Sequence, residues 1–338
     1  MTIVYALIIF AILILVHELG HFITAKMFGV KVNEFALGMG PALYKKQGGE
    51  TVFSVRAIPI GGFCSMEGEN EDSEDERAFN KKPAGKRAVI LAAGSFMNLM
   101  LAIIIFSLIL FSLGYAQTTL SEVKAGSPAE KAGLLEGDKI VSVDGTAIKK
   151  WEDVVGIVSS KEPGDEVVLG IKRNNEALTL TASTYDQEGR TVMGVTAKVV
   201  KNPARALLDG TKATFALATS MVDILKQLLT GDIAATELTG PVGIVYLVGD
   251  SAKMGLNYVM YLTALISLNL AIINLLPFPA LDGGRLLFIV IRKVTGRAIT
   301  DDIEAKVHIL GLMLLMALMV YVTWQDIIRF ILPGGQGL

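Results

Sequence analysis

The sequence predicts a multi-pass α-helical membrane protein with four transmembrane helices, a cytoplasmic-side β-hairpin region and an inserted extracytoplasmic α+β domain. Three observations predict it. Apolar residues fill 52% of the 338 positions and charged residues 19%. Mean hydropathy is +0.52, well off the average for a soluble domain. The apolar residues gather into runs long enough to cross a bilayer, which takes about 20 residues as a helix. Between the second and third runs lies a stretch of ordinary composition. A net charge of −2 and a pI near 6.0 lack the basic footprint of a nucleic-acid binder. The single cysteine, Cys64, excludes an intrachain disulfide and any Cys-rich zinc site.

The elements follow in order. Residues 3–23 form the first run, which has no basic flank before it and no small-residue cleavage site. It reads as a retained span rather than a signal peptide. Residues 32–37 and 51–55 are short β-prone runs joined by a turn region rich in Gly and Lys, as in a hairpin. Such a hairpin either offers an edge strand to a substrate or is a plain solvated loop. Residues 67–76 are strongly acidic and read as a solvated linker. Residues 88–114 make the second span. Residues 204–229 carry Asp209, Lys212, Asp223 and Lys226 at helical spacing, which suits an amphipathic helix lying on a membrane. Residues 256–276 and 307–332 make the last two spans. Four parts result: residues 1–114, 115–203, 204–253 and 254–338.

Orientation comes from Lys and Arg near the span ends. The stretches between spans one and two, and between spans three and four, are rich in them, including Lys26, Arg77, Arg87, Arg285 and Arg297. The opposite side is poorer, with Lys124, Lys131 and Lys253. Both termini and the middle domain are therefore expected outside the cytoplasm. His17 then lies in the cytoplasmic half of span one, about 9 Å from its end at 1.5 Å per residue.

Chemistry concentrates in that span, at His17-Glu18-Leu19-Gly20-His21. Two of the three histidines stand at i and i+4, on one helical face, where both can ligate one Zn²⁺. The glutamate between them is placed to take a proton from the attacking water. An acidic residue deep in a span costs about 2.5–3.5 kcal/mol on insertion scales. A structural role offers nothing against that cost, whereas a bound cation does. A catalytic zinc needs a third protein ligand and an open position. Glu34, His308 and Asp282 are the options. Glu34 sits in a strand-like run beyond the helix end, and His308 at the start of the fourth span. Asp282 follows the third span within residues 274–284, where two prolines and two glycines break the helix. Irregular backbone at membrane depth is tolerated where it lines a cavity. Position favours Asp282 and leaves the others open.

The pairing of residues 17–21 with residues 274–284 resembles the site-2 protease family of intramembrane zinc metalloproteases, and most of all its bacterial members with a single PDZ domain. The resemblance spans nearly the whole chain. It implies Zn²⁺ held by His17, His21 and Asp282, Glu18 as catalytic acid/base, and Asn274 near the substrate. Residues 93–98 resemble another element of the family, with Ser95 where proline is usual, and residues 240–244 a further one. Residues 125–134 and 137–145 resemble a bacterial PDZ module, with Asp144-Gly145 as a tight-turn signal. PDZ domains bind extended peptides and often their C-terminal carboxylates; the alternative is that the module shields the site by bulk.

The resemblance further implies a metalloendopeptidase of the bacterial cytoplasmic membrane. Its partners would be the lipid bilayer and single-span membrane proteins already trimmed outside, such as anti-sigma factors or signal-peptide remnants. Two other readings compete. A metal transporter would carry polar residues in several spans and needs no non-ligating glutamate. An inactive scaffold would have lost the triad, and this chain keeps it.

Overall fold

The structure, a computed structural model, describes residues 2–69, 73–232, 238–296 and 301–330. Residues 70–72 of the acidic linker, Arg297, and the chain beyond Phe330 lie outside the described residues. The chain forms two compact units, one of Met1–Ile109 with Leu207–Leu338 and the other of Leu110–Ala206.

In the first unit, helices α1 (Thr2–Met27), α2 (Ala84–Leu113), α7 (Leu256–Asn274) and α9 (Asp301–Phe330) correspond to the four apolar runs. Each is long and apolar enough to cross a membrane. Their outward side chains are apolar, including Ile8 and Ile12 on α1 and Ile309, Leu312 and Met313 on α9. Water would penalise such a surface, and lipid does not. Most helix ends fall within about a turn of the ends of the apolar runs; α9 starts six residues ahead of its run, and α2 starts straight after Pro83.

Between α1 and α2 lie β1 (Val32–Gly48) and β2 (Thr51–Met66), far longer than the two short strands expected. The supposed turn region continues the pairing, from Ala42 opposite Arg56 to Gly48 opposite Thr51. Glu34–Leu37 is flanked on both sides, by Gly62–Ser65 and by Val52–Val55. The strands fold back because Gly38, Gly40 and Gly61 take positive φ of 87°, 82° and 86°, which interrupts extended backbone at little steric cost only for glycine. Register shifts of this kind erase the simple alternation that marks a strand in sequence. The acidic linker also differs from expectation, because its described ends are tied down. Glu67 accepts from the Ser73 hydroxyl at 2.6 Å and from Asn33 at 3.0 Å. These bonds, aided by Lys31, hold its carboxyl down to about 2. Glu69 pairs with Arg285.

Residues 204–253 divide into two helices, α5 (Pro203–Thr230) and α6 (Pro241–Met254). Helix α6 opens at Gly240, and Asp326 of α9 caps it from across the unit. The carboxylate accepts from Gly240 N–H at 3.1 Å and from Gly243 N–H at 2.8 Å, serving donors that a helix start leaves unpaired. That bond explains residues 240–244, for which the sequence suggested no role. Val248 of α6 packs with Ala6, Ile9 and Leu13 of α1. Helix α8 (Asp282–Thr295) follows the break after α7.

The second unit is α+β: β3 (Tyr115–Val123), α3 (Pro128–Lys131), β4 (Lys139–Val143), β5 (Thr146–Ala147), α4 (Trp151–Ser159), β6 (Glu166–Arg173), β7 (Glu176–Ser183), β8 (Tyr185–Gln187), β9 (Arg190–Val192) and β10 (Val195–Val200). Its main sheet has the order β10-β3-β4-β6-β7. Leu120, Ile140, Val143, Val154, Leu169 and Ile171 form the core. Asp144 and Gly145 both take positive φ, 48° and 77°, as the tight hairpin turn between β4 and β5 demands. Asp138 is fully buried and receives Arg173 Nε and Nη2 at 2.7 Å each. Burial alone would raise its carboxyl pKa, but the guanidinium and the Leu135 N–H hold it below the usual range.

Candidate active site

Helix periodicity puts His17 and His21 on one face of α1, one turn apart. Their rings stand nearly perpendicular, at 79° with centroids 4.9 Å apart. Both Nε2 atoms point to one spot, 3.2 Å from each other. Asp282 Oδ2 meets them there, 3.2 Å from His17 Nε2 and 3.4 Å from His21 Nε2. Among the described residues these three form the one such cluster of metal-ligating side chains. A tetrahedral zinc with ligands at about 2.0–2.1 Å would separate its ligand atoms by about 3.3 Å. The triangle already has that size. Asp282 Oδ2 is buried and has no well-aligned hydrogen-bond partner among the described residues, a costly state unless a cation completes it. The donor set therefore fits zinc.

Backbone and amide groups orient the two rings. His21 Nδ1 lies 2.8 Å from the Ile90 carbonyl of α2. An Nδ1–H donated there leaves the Nε2 lone pair free for a metal. His17 Nδ1 lies 3.4 Å from the amide of Asn98, a fully buried residue of α2. With its amide turned to present Oδ1, Asn98 would fix His17 in the same tautomer.

Close helix contact makes these bonds possible. A side chain at Gly94 of α2 would collide with His21 Nε2 and come within 2.8 Å of His17 Nε2. One at Gly20 would run into the backbone of Ala93 and Gly94. Only glycine at both positions lets α2 reach the histidine face. Sequence reasoning assigned no role to Gly94, Asn98 or the Ile90 carbonyl. The available signals were the family resemblance of residues 93–98 and a polar residue, Asn98, in mid-span. Helix α2 runs through Ser95 without a break.

Asp282 comes from a fold-back between α7 and α8. Gly283 leaves no room for a side chain against the Leu275–Leu276 backbone, and a Cβ on Gly284 would lie 2.9 Å from the Phe278 carbonyl carbon. The two glycines let the chain turn over the start of α8 and bring Asp282 to α1. Asn274, the last residue of α7, places Nδ2 3.5 Å from His17 Nε2. Glu18 lines the same cavity as His17, Asn98, Asn274 and Asp282, a space of about 270 Å³. Glu18 also borders a cavity of about 500 Å³ whose wall includes Gly62–Met66.

The other two options for third ligand are engaged elsewhere. Glu34 accepts from Ser54 at 2.6 Å and from Arg56 at 2.7 Å. His308 Nδ1 accepts the Ala280 N–H at 2.8 Å.

Two histidines and an aspartate converging among apolar helices, with a glutamate alongside, fit a membrane-embedded metallohydrolase. The model of peptidase family M50 matches residues 5–318, and the chain belongs to that family. A Clostridium perfringens protein named as a zinc metalloprotease is 41% identical over 335 residues, covering 97% of this chain and 99% of its own. The Bacillus subtilis Regulator of sigma-W protease RasP is 30% identical over 419 residues, covering 98% and 99%. The Geobacillus kaustophilus Zinc metalloprotease RasP is 29% identical over 416 residues, with the same coverages. The chain is a zinc metalloprotease of the site-2 protease type, with Zn²⁺ as its cofactor. Its four apolar helices and its bacterial relatives fit a bacterial inner membrane protein.

Proposed function

We propose that this protease hydrolyses peptide bonds within the transmembrane segments of single-span membrane proteins whose outer domains have already been removed. Anti-sigma factors and signal-peptide remnants are the substrate classes that fit. The observation that carries the reading is the 3.2–3.4 Å triangle of His17, His21 and Asp282 inside an apolar helix pair, with Glu18 on the same cavity. His17, His21 and Asp282 hold the metal. Held there, Zn²⁺ would acidify water and polarise a carbonyl. Glu18 takes the water's proton and returns it to the leaving amine. Asn274 binds the substrate backbone beside His17.

A helical substrate hides its peptide groups in its own hydrogen bonds, so it must be unwound first. The segment Gly62–Met66, at the margin of the β1–β2 sheet and on the cavity wall, supports capture of the unwound stretch as an added strand. The PDZ-like unit lies outside the cytoplasm, and the metal centre in the cytoplasmic half of the membrane. That unit admits trimmed substrates and binds their new C-termini. Helix α5 lies along the membrane surface, its exposed Leu207, Leu208, Phe215 and Ile224 turned to lipid.

The test is Glu18→Gln in proteoliposomes with a single-span substrate. Zinc content should match wild type while cleavage is lost, and full cleavage by this variant would sink the mechanism. Asp282→Ala should lose both zinc and cleavage. Loss of zinc through Glu34→Ala instead would reassign the third ligand.

A further inference from the structure

The loop between α7 and α8 presents Asp282, and helix α9 holds that loop from outside the metal centre. Ala280 has a φ of +76°, a left-handed conformation that alanine keeps only where its surroundings enforce it. Its N–H donates to His308 Nδ1 at 2.8 Å. One turn along α9, Gly311 makes room for the neighbouring loop residue, since a Cβ there would lie 2.6 Å from the Pro279 carbonyl oxygen. His308 and Gly311 thus grip consecutive residues of the loop from one face of α9. Because Nδ1 accepts, the ring proton sits on Nε2, which faces Glu304 Oε1 at 3.8 Å. Glu304 is itself paired with Arg292 at 2.6 Å. Phe288 of α8 stands against the ring, with centroids 5.6 Å apart. The imidazole is therefore committed as an acceptor, and it stands outside the cluster of His17, His21 and Asp282.

We propose that His308 is a positioning residue of the metal centre: it locks the turn at Ala280 and thereby places the Asp282 carboxylate two residues on, without touching the metal. The proposal rests on reading His17, His21 and Asp282 as the zinc ligands.

The experiment uses the full-length protein in detergent. It measures zinc retention against a chelator, the visible spectrum of the Co²⁺-substituted form, and thermal unfolding, for wild type, His308→Leu and His308→Asn. Loss of an orienting partner around a metal ligand weakens metal binding by about tenfold or more, and His308→Leu should show a loss of that order with an altered Co²⁺ spectrum. His308→Asn puts Oδ1 where Nδ1 was, so it should restore both. Asparagine does not replace imidazole as a zinc ligand, so this rescue separates positioning from ligation. If His308→Leu does not fold, His308→Gln, which keeps an acceptor but displaces it, takes its place with the same expectation. The proposal is overturned if the Leu or Gln variant retains metal like wild type, or if His308→Asn loses it as fully as they do. Wild type without stoichiometric zinc would overturn the ligand reading as well, which distinguishes the two failures.

Discussion

The metal centre and the PDZ-like unit each bury aspartate oxygen, and they treat it in opposite ways. Asp138 is surrounded by donors that match it, two guanidinium nitrogens at 2.7 Å and the Leu135 N–H at 2.9 Å. Asp282 Oδ2 faces two imidazole nitrogens at 3.2 and 3.4 Å with no aligned donor among the described residues. A buried carboxylate with its full set of protein donors does structural work. One whose neighbours are other metal-ligating atoms is suited to a cation. Asp326 extends the rule into the membrane unit, because it is buried within an apolar helix and fully engaged by two N–H groups.

The change expected to break the metal centre most completely is Gly94→Ala. Its methyl group would occupy the space of His21 Nε2, so zinc content should fall to background in metal analysis while protease resistance of the PDZ-like unit stays as in wild type. Asp138→Ala should do the reverse. Removing the carboxylate from Arg173 costs about 2–3 kcal/mol, read as faster limited proteolysis within residues 115–200 with zinc content unchanged. A smaller effect sharpens the comparison inside the membrane unit. Asp326→Ala should lower thermal stability by about 1–3 kcal/mol yet leave zinc stoichiometry intact; zinc loss there would break the distinction between the engaged carboxylate and the one beside the histidines. The smallest is Ser127→Ala, which removes the hydroxyl that accepts from Glu130 N–H at 3.2 Å. It should cost about 1 kcal/mol, confined to the PDZ-like unit and visible by hydrogen exchange.

Local rules made much of this protein readable in advance. Four apolar runs of membrane length need no partner to be recognised, and the four helices lie where those runs are. The Asp144-Gly145 turn follows from the backbone freedom of two residues. The strands around the site were harder, because Gly38, Gly40 and Gly61 fold each one back and shift its register. Helix α6 escaped notice because the carboxylate that caps it comes from Asp326, 86 positions from Gly240.

The sequence by itself determined the pair His17 and His21 with Glu18 between them, since spacing of i and i+4 on a helix fixes which side chains share a face whatever the rest of the chain does. It also nominated Asp282 from the broken helix after the third span, beside two other options. Only the tertiary structure sets them apart: it engages Glu34 with Arg56 and His308 with Ala280, and it brings Asp282 Oδ2 to the histidines. It alone revealed Gly94 as the gap that admits the imidazoles and the Ile90 carbonyl as the acceptor that orients His21. The reason is physical: a metal site is defined by distances between atoms on different helices, and those distances are set by how closely two backbones can approach.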